Sequence, residues 1–514
     1  MCLVKPVNMA STKIENLLQY CRRNGISIDA SLRVQEVPGA GLGVYSTREI
    51  AAGQQIVFVP TTNIFTHEAI PEDFLFGDHR NSLPVHAQIA TFFAFGTPAQ
   101  LEQYQPWMKT WPKLTDFTAT MPLFHGPWAK YLLKQIGRTD TETWVPLVRP
   151  AKRRRLNNGV DSLRVKESIS LSPALSGSFT APLIDADKDS LLRKICDRLI
   201  EHVRAVNEAL PHLNIVEDNL QFLRFVHKWC AVNTRCFSHW KPSAKHPEYP
   251  ADPNEAMGLM PFMDLFNHCP PPPINDHDGS RTTTGFCNVK EVDGGFQVTA
   301  WHNIPANHEI LTAYNAHSND VLWNDYGFIL SGNTNQEDHV QLDEIVLSEL
   351  SDQDILTLAN HEYLDNYVLS NDGSVCERTR QAAWLLVFGR HTWVQLVKSG
   401  EDPEDNVKSP TGMHRWEDHI CSWLSAVKRA AYQNIAALDT MDEEDLQRHF
   451  GTMQIVQDIY ITEHKANEVK LCRQRANVCL RRWGQIHGMA DRGIKLIMNG
   501  SDRLEVDWPG FADP

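Results

Sequence analysis

Two β-rich stretches separated by helical patterns constrain the fold of this chain more than any other sequence feature. The first, RVQEVPGAGLGVYSTREIAAGQQIVFVP, alternates short apolar runs with glycine turns and predicts two or three strands. The second, Gly258 to Tyr326, mixes short strands and turns in the same way. Helical patterns cover Ala87 to Tyr104 and Leu191 to Cys236. The sequence therefore predicts an α+β chain with a β-rich N-terminal half that helices interrupt.

The C-terminal part of the chain is predicted to be helical from Glu337 onward. Apolar residues recur there at three- and four-residue steps: Leu446, Phe450, Met453, Val456, Tyr460, then Cys472, Ala476, Cys479 and Trp483. The last group places two cysteines on an apolar stripe, so we expect core residues and no disulfide. A further amphipathic helix is predicted at Thr12 to Arg23.

Two segments interrupt these patterns. Gly137 to Asp187 contains AKRRRLNNG and LSPALSGSFTAP and has little periodicity, so we expect a mobile insertion or long loop. The run Lys152 to Arg155 fits a nuclear localisation signal and a solvated basic loop equally well. A second break is predicted at QPWMKTWPKL. We expect the protein in the cytoplasm, the nucleus or both.

The composition excludes several classes of function. A length of 514 residues suggests two or three domains, and a net charge of −14 argues against a nucleic-acid binder. Apolar runs stay far below the ~20 residues of a membrane helix, so no membrane association is expected. Eleven cysteines occur without a Cys-x-x-Cys pair, so we expect no metal site.

Four short segments could carry chemistry, and each has a structural alternative. Gly39 to Gly43 could approach a ligand or form a tight turn. Met260 to His268 ends an apolar run in polar groups, which are either satisfied core residues or ligand contacts. Aromatic residues between Leu311 and Phe328 could line a site or a core. Arg235, at a helix end, could be a capping residue.

Taken together and in this order, the segments resemble the SET-domain methyltransferases. The runs that carry the resemblance are GAGLGVYSTREIAAGQQIVFVP, WCAVNTRCF, LMPFMDLFNHCP and EILTAYNAHSNDVLWNDYGFIL. They are most similar to the branch that includes the RuBisCO large-subunit lysine methyltransferase and the fungal ribosomal-protein lysine methyltransferases. The later run YLDNYVLSNDGSVCERTRQAAW resembles the helical domain of that branch.

The resemblance implies a particular domain organisation. A SET-domain fold of small curled β-sheets with a pseudoknot is expected over residues 1–332. A helical insertion at about 86–256 splits it, with the mobile loop at 137–187. An all-α C-terminal domain that binds the substrate is expected over 333–514.

The resemblance also implies S-adenosyl-L-methionine as the cofactor and assigns residues to it. The residues that match cofactor-binding positions are Ala40, Gly41, Leu42, Arg235, Asn267, His268 and Phe328. Tyr314 matches the catalytic tyrosine. The turn Pro305 to Glu309 departs from the family pattern, and so does Asn315, but we expect neither to touch the chemistry.

On the substrate side, the resemblance assigns Thr234, Phe237, Asp264 and Tyr326. Tyr326 matches a wall of the lysine channel, and Asp264 is either a substrate contact or a structural carboxylate. The apolar ring of Phe237 favours lysine over histidine as the target. The implied function is a protein-lysine N-methyltransferase of a non-histone substrate, such as a ribosomal protein or elongation factor, acting as a monomer. The alternatives are a catalytically silent binding module and a histidine methyltransferase.

Overall fold

The architecture is α+β, as the sequence predicts. The computed structural model describes residues 9–75, 82–137, 191–240, 249–250, 255–272, 283–331, 334–400, 413–459 and 468–498. The basic run 152–155 and nearly all of the predicted insertion 137–187 lie outside the described residues, as does Tyr460. Strands alternate with helices up to Ser370, and the described residues beyond it form helices only.

Twelve short strands occur in the part of the chain that the structure describes. They are β1 (Ser27–Ile28), β2 (Leu32–Val37), β3 (Gly41–Ser46), β4 (Gln55–Pro60), β5 (Cys236–Ser238), β6 (Met257–Leu259), β7 (Asn267–His268), β8 (Phe286–Val292), β9 (Gly295–Ala300), β10 (Glu309–Thr312), β11 (His339–Gln341) and β12 (Val368–Ser370). Three of them fall within the first predicted β-rich stretch, which confirms that prediction. The two-stranded ladder of β11 and β12 stands inside the region predicted as mostly helical.

Strand β10 connects the sheet. Eight strands join in the order β1-β4-β9-β8-β10-β3-β2, and β7 also pairs with β10. The pairing of β10 is antiparallel with β3 and parallel with both β7 and β8. This mixed arrangement brings the glycine turn before β3 and the Asn267-His268 pair to the same strand.

The helices before β10 are α1 (Met9–Arg23), α2 (Val85–Phe95), α3 (Pro98–Leu101), α4 (Gln105–Met108), α5 (Leu114–Thr120), α6 (Gly126–Gln135), α7 (Leu191–Ala209) and α8 (Asn219–Arg235). Helix α8 begins where the Asp218 side chain accepts hydrogen bonds from the amides of Leu220 and Gln221, and it ends where Cys236 turns extended. It packs against α2, which is buried over nearly its whole length.

The predicted break at QPWMKTWPKL is partly wrong, because α4 forms one helical turn there. Pro106 lies in the first turn of α4, where its missing N–H costs no hydrogen bond. Trp107, on the same turn, is fully buried. The turn therefore inserts an aromatic side chain into the core.

The helices after β10 are α9 (Asn319–Val321), α10 (Asp343–Leu347), α11 (Asp352–Ala359), α12 (Glu377–Ser399), α13 (Met413–Asp439), α14 (Glu443–Phe450), α15 (Gln454–Ile459) and α16 (Glu468–Met498). A π-helical turn, Leu322–Tyr326, continues α9. The long helices α13 and α16 pack side by side. None of the described helices is long and apolar enough to cross a membrane.

Buried residues confirm the apolar stripe of α16. Cys472 and Cys479 are fully buried, carry free thiols and pack in the main core beside Trp483. The helical part is joined to the earlier helices by main-chain hydrogen bonds from Gly126 to Gly451 and from Met453 to Phe124. The residues on the two sides of the proposed domain boundary, at 332/333, therefore contact each other.

Candidate functional site

Tyr314 lies two residues beyond β10, beside strand β7. Its hydroxyl donates to the Phe266 carbonyl oxygen over 2.9 Å, and its amide donates to Nδ1 of His268 over 3.1 Å. The parallel pairing of Leu311 with Asn267 and of Thr312 with His268 sets this geometry. Burial raises the pKa of Tyr314 to about 12, so the phenol stays protonated at neutral pH and can donate a hydrogen bond.

The hydrogen bond from Tyr314 fixes the protonation of His268. Because Nδ1 accepts the Tyr314 amide, the ring proton of the neutral imidazole is assigned to Nε2. Nε2 is buried and has no hydrogen-bond partner among the described residues. Burial lowers the pKa of His268 to about 4, with a smaller contribution from His317.

This depressed pKa predicts that acid destabilises the protein. The unfolded chain binds a proton at His268 near pH 6.5 and the folded chain only near pH 4, so stability falls as the pH drops through that window. Between pH 7 and pH 5, we expect the free energy of unfolding to fall by about 2 kcal/mol less in the His268→Asn variant than in the parent protein. Urea unfolding at both pH values measures the difference. Equal losses in the two proteins would contradict the assignment.

The glycine turn, Gly39 to Gly43, lies close to Asn267. Gly39 and Gly41 both have left-handed backbone angles, with φ of +80°. A Cβ atom at Gly43 would lie 2.9 Å from Nδ2 of Asn267 and 2.7 Å from Oε1 of Glu309, so a larger residue would displace these side chains. The glycine turn, which contains the predicted Ala40, Gly41 and Leu42, therefore reaches Asn267 through Gly43.

One departure from the family pattern lies next to a predicted cofactor residue. The turn Pro305 to Glu309 is expected not to touch the chemistry, and Glu309 at its end accepts a 2.7 Å hydrogen bond from Nδ2 of Asn267. The hydroxyl of Tyr45 also contacts this carboxylate, over 3.4 Å. Asn307, within this turn, has a left-handed backbone angle, with φ of +64°. Because β10 begins at Glu309 and pairs in parallel with β7, the sheet places the carboxylate beside Asn267.

Arg235 and Asp264 form a buried ion pair behind Tyr314. Nη1 of Arg235 lies 3.2 Å from Oδ2 of Asp264, and Trp107 donates its indole N–H to the same oxygen over 3.0 Å. The side chain of Asp264 is fully inaccessible. Burial is the main influence on Asp264 and raises its pKa, against the opposing effect of Arg235. The enclosed position favours the structural role over direct contact with a substrate.

Four rings form an aromatic cluster around Tyr314. The ring centroid of Tyr314 lies 5.1 Å from those of both Tyr326 and His268. Phe328 lies 6.3 Å from Tyr326 and 6.0 Å from His268. Burial raises the pKa of Tyr326 well above its ordinary value, so this phenol is also neutral. We refer to these four residues as the aromatic cluster.

The π-helical turn aims Tyr326 at this cluster. The turn ends at Gly327, which has a φ of +83°. A Cβ atom there would lie 2.4 Å from the hydroxyl oxygen of Thr120, so the chain passes α5 at a distance that only glycine permits. π-Helical turns occur frequently at functional sites.

Sequence reasoning missed a polar group that supports this turn. Arg198 donates to Oδ1 of Asp325 over 3.1 Å and to Oδ1 of Asn233 over 2.8 Å. Asn233 in turn donates to the main-chain carbonyl of Asp325 over 3.0 Å. The signal for Asn233 was present in the WCAVNTRCF run, but nothing in the spacing links it to Arg198, on another helix.

The other two predicted substrate residues lie at the end of α8 and on β5. The hydroxyl of Thr234 donates to the Cys230 carbonyl within the helix, over 2.9 Å. Phe237 is half-buried, pairs with Gly258 of β6 and packs against the main core. The structure therefore gives Thr234 an intrahelical bond and places Phe237 two residues beyond the end of the helix.

The residues present suit a ligand with polar groups at this position. Two buried polar atoms of predicted cofactor residues lack a hydrogen-bond partner among the described residues: Nε2 of His268 and Nε of Arg235. Such atoms are rare in proteins, and a bound group is one of the ordinary explanations. No group of His, Cys, Asp and Glu side chains suited to a metal ion occurs in the part of the chain that the structure describes.

Sequence comparison identifies relatives. The chain is 28% identical over 146 residues to ribosomal lysine N-methyltransferase set11 of Schizosaccharomyces pombe, covering 28% of this chain and 32% of that protein. It is 26% identical over 199 residues to ribosomal lysine N-methyltransferase 2 of Saccharomyces cerevisiae, covering 35% and 39%. The chain is therefore similar in sequence to two lysine methyltransferases. This confirms the predicted resemblance.

A third relative also matches part of the chain. SET domain-containing protein 4 of Artemia parthenogenetica is 26% identical over 173 residues, which is 32% of this chain and 40% of that protein. The matched regions span between 32% and 40% of the length of these three relatives. No family model matches the chain.

Two solved structures were also found. The SET domain of LSMT bound to lysine and AdoHcy has a TM-score of 0.49 at 13% identity, covering 96% of this chain and 94% of that chain. Rubisco LSMT bound to AdoMet has a TM-score of 0.47 at 14% identity, with the same coverage.

Proposed function

We propose that this SET-domain relative is an S-adenosylmethionine-dependent protein-lysine N-methyltransferase. The observation that carries the proposal is the position of the Tyr314 phenol. It is neutral, buried and held by the Phe266 carbonyl next to the Asn267-His268 strand, and its ring contacts Tyr326. A fixed phenol at the meeting point of a polar loop and an aromatic wall is suited to alignment of two reactants.

The residues proposed to hold the cofactor surround the Asn-His strand. Main-chain groups at Ala40, Gly41 and Leu42, with Asn267 and His268, would contact it, because the Cβ positions of Gly39 and Gly41 face open space. S-Adenosylmethionine supplies an electrophilic methyl group on a sulfonium ion. The cationic side chain of Arg235 suits the carboxylate of such a ligand, and Phe328 offers an aromatic surface.

The aromatic cluster suits an uncharged amine. A lysine side chain titrates near ~10.4 in water, and burial among apolar rings favours its neutral form. Tyr314 and Tyr326 are neutral phenols, so neither stabilises an ammonium ion by a full charge. The chain would thus orient the amine by its rings and hydroxyls, and water would carry the proton away.

The substrate class follows from the relatives. Two of them are named ribosomal lysine methyltransferases, so we propose a ribosomal or other translation-related protein, with no histone specificity. The net charge of −14 suits a basic partner of this kind. Phe237 on β5 presents an apolar ring, which favours lysine over histidine as the modified residue.

The test is methyl transfer from labelled cofactor into a lysate of cells that lack this protein. We expect one labelled band whose hydrolysate contains methyl-lysine; the recombinant Tyr314→Phe variant is the matched control. Methyl-histidine in the hydrolysate would replace the lysine assignment. No label, together with no thermal stabilisation by S-adenosylhomocysteine, would support a silent binding module instead.

Asn267→Ala tests the cofactor site independently of turnover. The change removes the amide that bonds Glu309 and leaves this carboxylate beside the glycine turn with the longer contact to the Tyr45 hydroxyl. We expect at least a tenfold weaker dissociation constant for S-adenosylhomocysteine, because a lost hydrogen bond to a charged group is worth about 1.5–3 kcal/mol. Isothermal titration calorimetry measures it. An unchanged constant would remove Asn267 from the binding site.

A further inference from the structure

A buried arginine of the last helix is bonded to the segment that carries the aromatic wall. Arg482, on α16, is 1% exposed. Its Nε and Nη2 donate to the two oxygens of Asp320, each over 2.8 Å, and Nη1 donates to Asp338 over 2.6 Å. The remaining two N–H groups face the His339 carbonyl and Gln485, both at 3.3 Å. All five donors of the guanidinium therefore have an acceptor.

The same network holds both ends of the segment from Asn319 to Leu330. Oδ1 of Asn319 accepts a hydrogen bond from the main-chain N–H of Leu330 over 3.0 Å. The main-chain N–H of Asn319 donates to Oδ1 of Asp338 over 2.8 Å. Gln485, one turn from Arg482, donates to the Leu330 carbonyl over 2.8 Å. Tyr326 and Phe328 lie between these two fixed ends.

The energetics of this network favour a positioning role over a simple gain in stability. Two carboxylates and one guanidinium are withdrawn from water, and the desolvation of such groups offsets much of their attraction. Buried ion pairs are therefore weak sources of stability, but their directional bonds select one arrangement of the chain. Here the selected arrangement is the path of the segment that presents Tyr326 to Tyr314.

We propose that Arg482 and Gln485 are positioning residues: through Asn319, Asp320 and Leu330, helix α16 sets the position of Tyr326 and Phe328 in the aromatic cluster. The expected effect of these residues on catalysis rests on the proposed function. Its structural part, the fixing of segment 319–330 by α16, does not depend on any activity.

The first test is hydrogen exchange of segment 319–330 in the folded protein. Arg482→Lys keeps the charge but cannot give two parallel N–H groups to Asp320. We expect exchange across this segment to rise at least tenfold in Arg482→Lys, and less in Gln485→Leu. The matched control is Leu424→Ala, which removes a fully buried apolar contact from the same helical domain. Unchanged exchange in a folded Arg482→Lys protein would overturn the proposal.

The second test separates positioning from general destabilisation. In an assay where the parent protein is active, kcat should fall about 100-fold in Arg482→Lys while cofactor affinity stays within threefold, because small displacements of reacting groups are costly. Leu424→Ala, compared at a temperature where both variants are folded, should keep most of its kcat. Equal losses in both variants would overturn the positioning role. An inactive parent would instead refute the proposed function and leave the exchange result to decide the structural part.

Discussion

Tyr314→Phe is expected to lower kcat about 100-fold, on the scale of the losses that accompany a displaced reacting group. The substitution keeps the ring, which lies 5.1 Å from Tyr326 and from His268, and removes only the hydroxyl that bonds the Phe266 carbonyl. Without that bond the ring loses its fixed orientation beside the Asn267 loop. Single-turnover kinetics with saturating cofactor measure the change.

The dissociation constant for S-adenosylhomocysteine should remain within about twofold in the same variant, because the Asn267 contacts are untouched. Tyr45→Phe is the matched control, since it also removes one phenolic hydroxyl, the one beside Glu309. We expect it to retain most of the parent kcat. A Tyr314→Phe protein as fast as the parent would exclude the phenol from the mechanism.

Arg235→Leu is expected to lower the free energy of unfolding by about 3–5 kcal/mol, the usual cost of leaving a buried charge without its partner. Asp264 is fully inaccessible, and Arg235 is the only cation that the structure places on it among the described residues. Asp264→Asn should cost less, because burial already raises the pKa of this carboxyl and favours its neutral form. Urea unfolding followed by tryptophan fluorescence measures both variants.

The double variant Arg235→Leu with Asp264→Leu distinguishes the effect of the unpaired charge from the effect of altered packing. We expect it to recover part of the loss, because no unpaired charge remains, although the indole N–H of Trp107 loses its acceptor. A loss under about 1 kcal/mol for Arg235→Leu would show that water reaches Asp264, since exposed pairs contribute only that much.

Periodicity predicted the helices well, because a stripe of buried residues is a local property of the sequence. The predicted Thr12 to Arg23 helix is α1, and the buried stripe of Cys472 to Trp483 lies on α16. Local patterns also bounded the strands around the glycine turn. The one-turn helix at Gln105–Met108 escaped notice, because tryptophan and proline together favour neither regular structure.

The contacts of the site were less predictable, because they depend on strand pairing between distant segments. Tyr314, Asn267 and His268 were recognised from their order, but the Phe266 carbonyl carries no sequence signal at all. The contact between Glu309 and Asn267 was not predicted for the same reason: 42 residues separate them, and the sheet joins them. A periodic pattern identifies the face of a helix and not the distant residue that this face meets.

The central position of β10 has a consequence for biosynthesis. Its antiparallel partner β3 leaves the ribosome first, and 264 residues separate Tyr45 from Glu309. At ~5–20 residues per second, β3 waits roughly 13 to 50 seconds before β10 emerges. During that interval one edge of β3 exposes unpaired amides and carbonyls, which are prone to pair with other nascent chains. Slower initiation or chaperone capture of the first strands should therefore raise the yield of soluble protein.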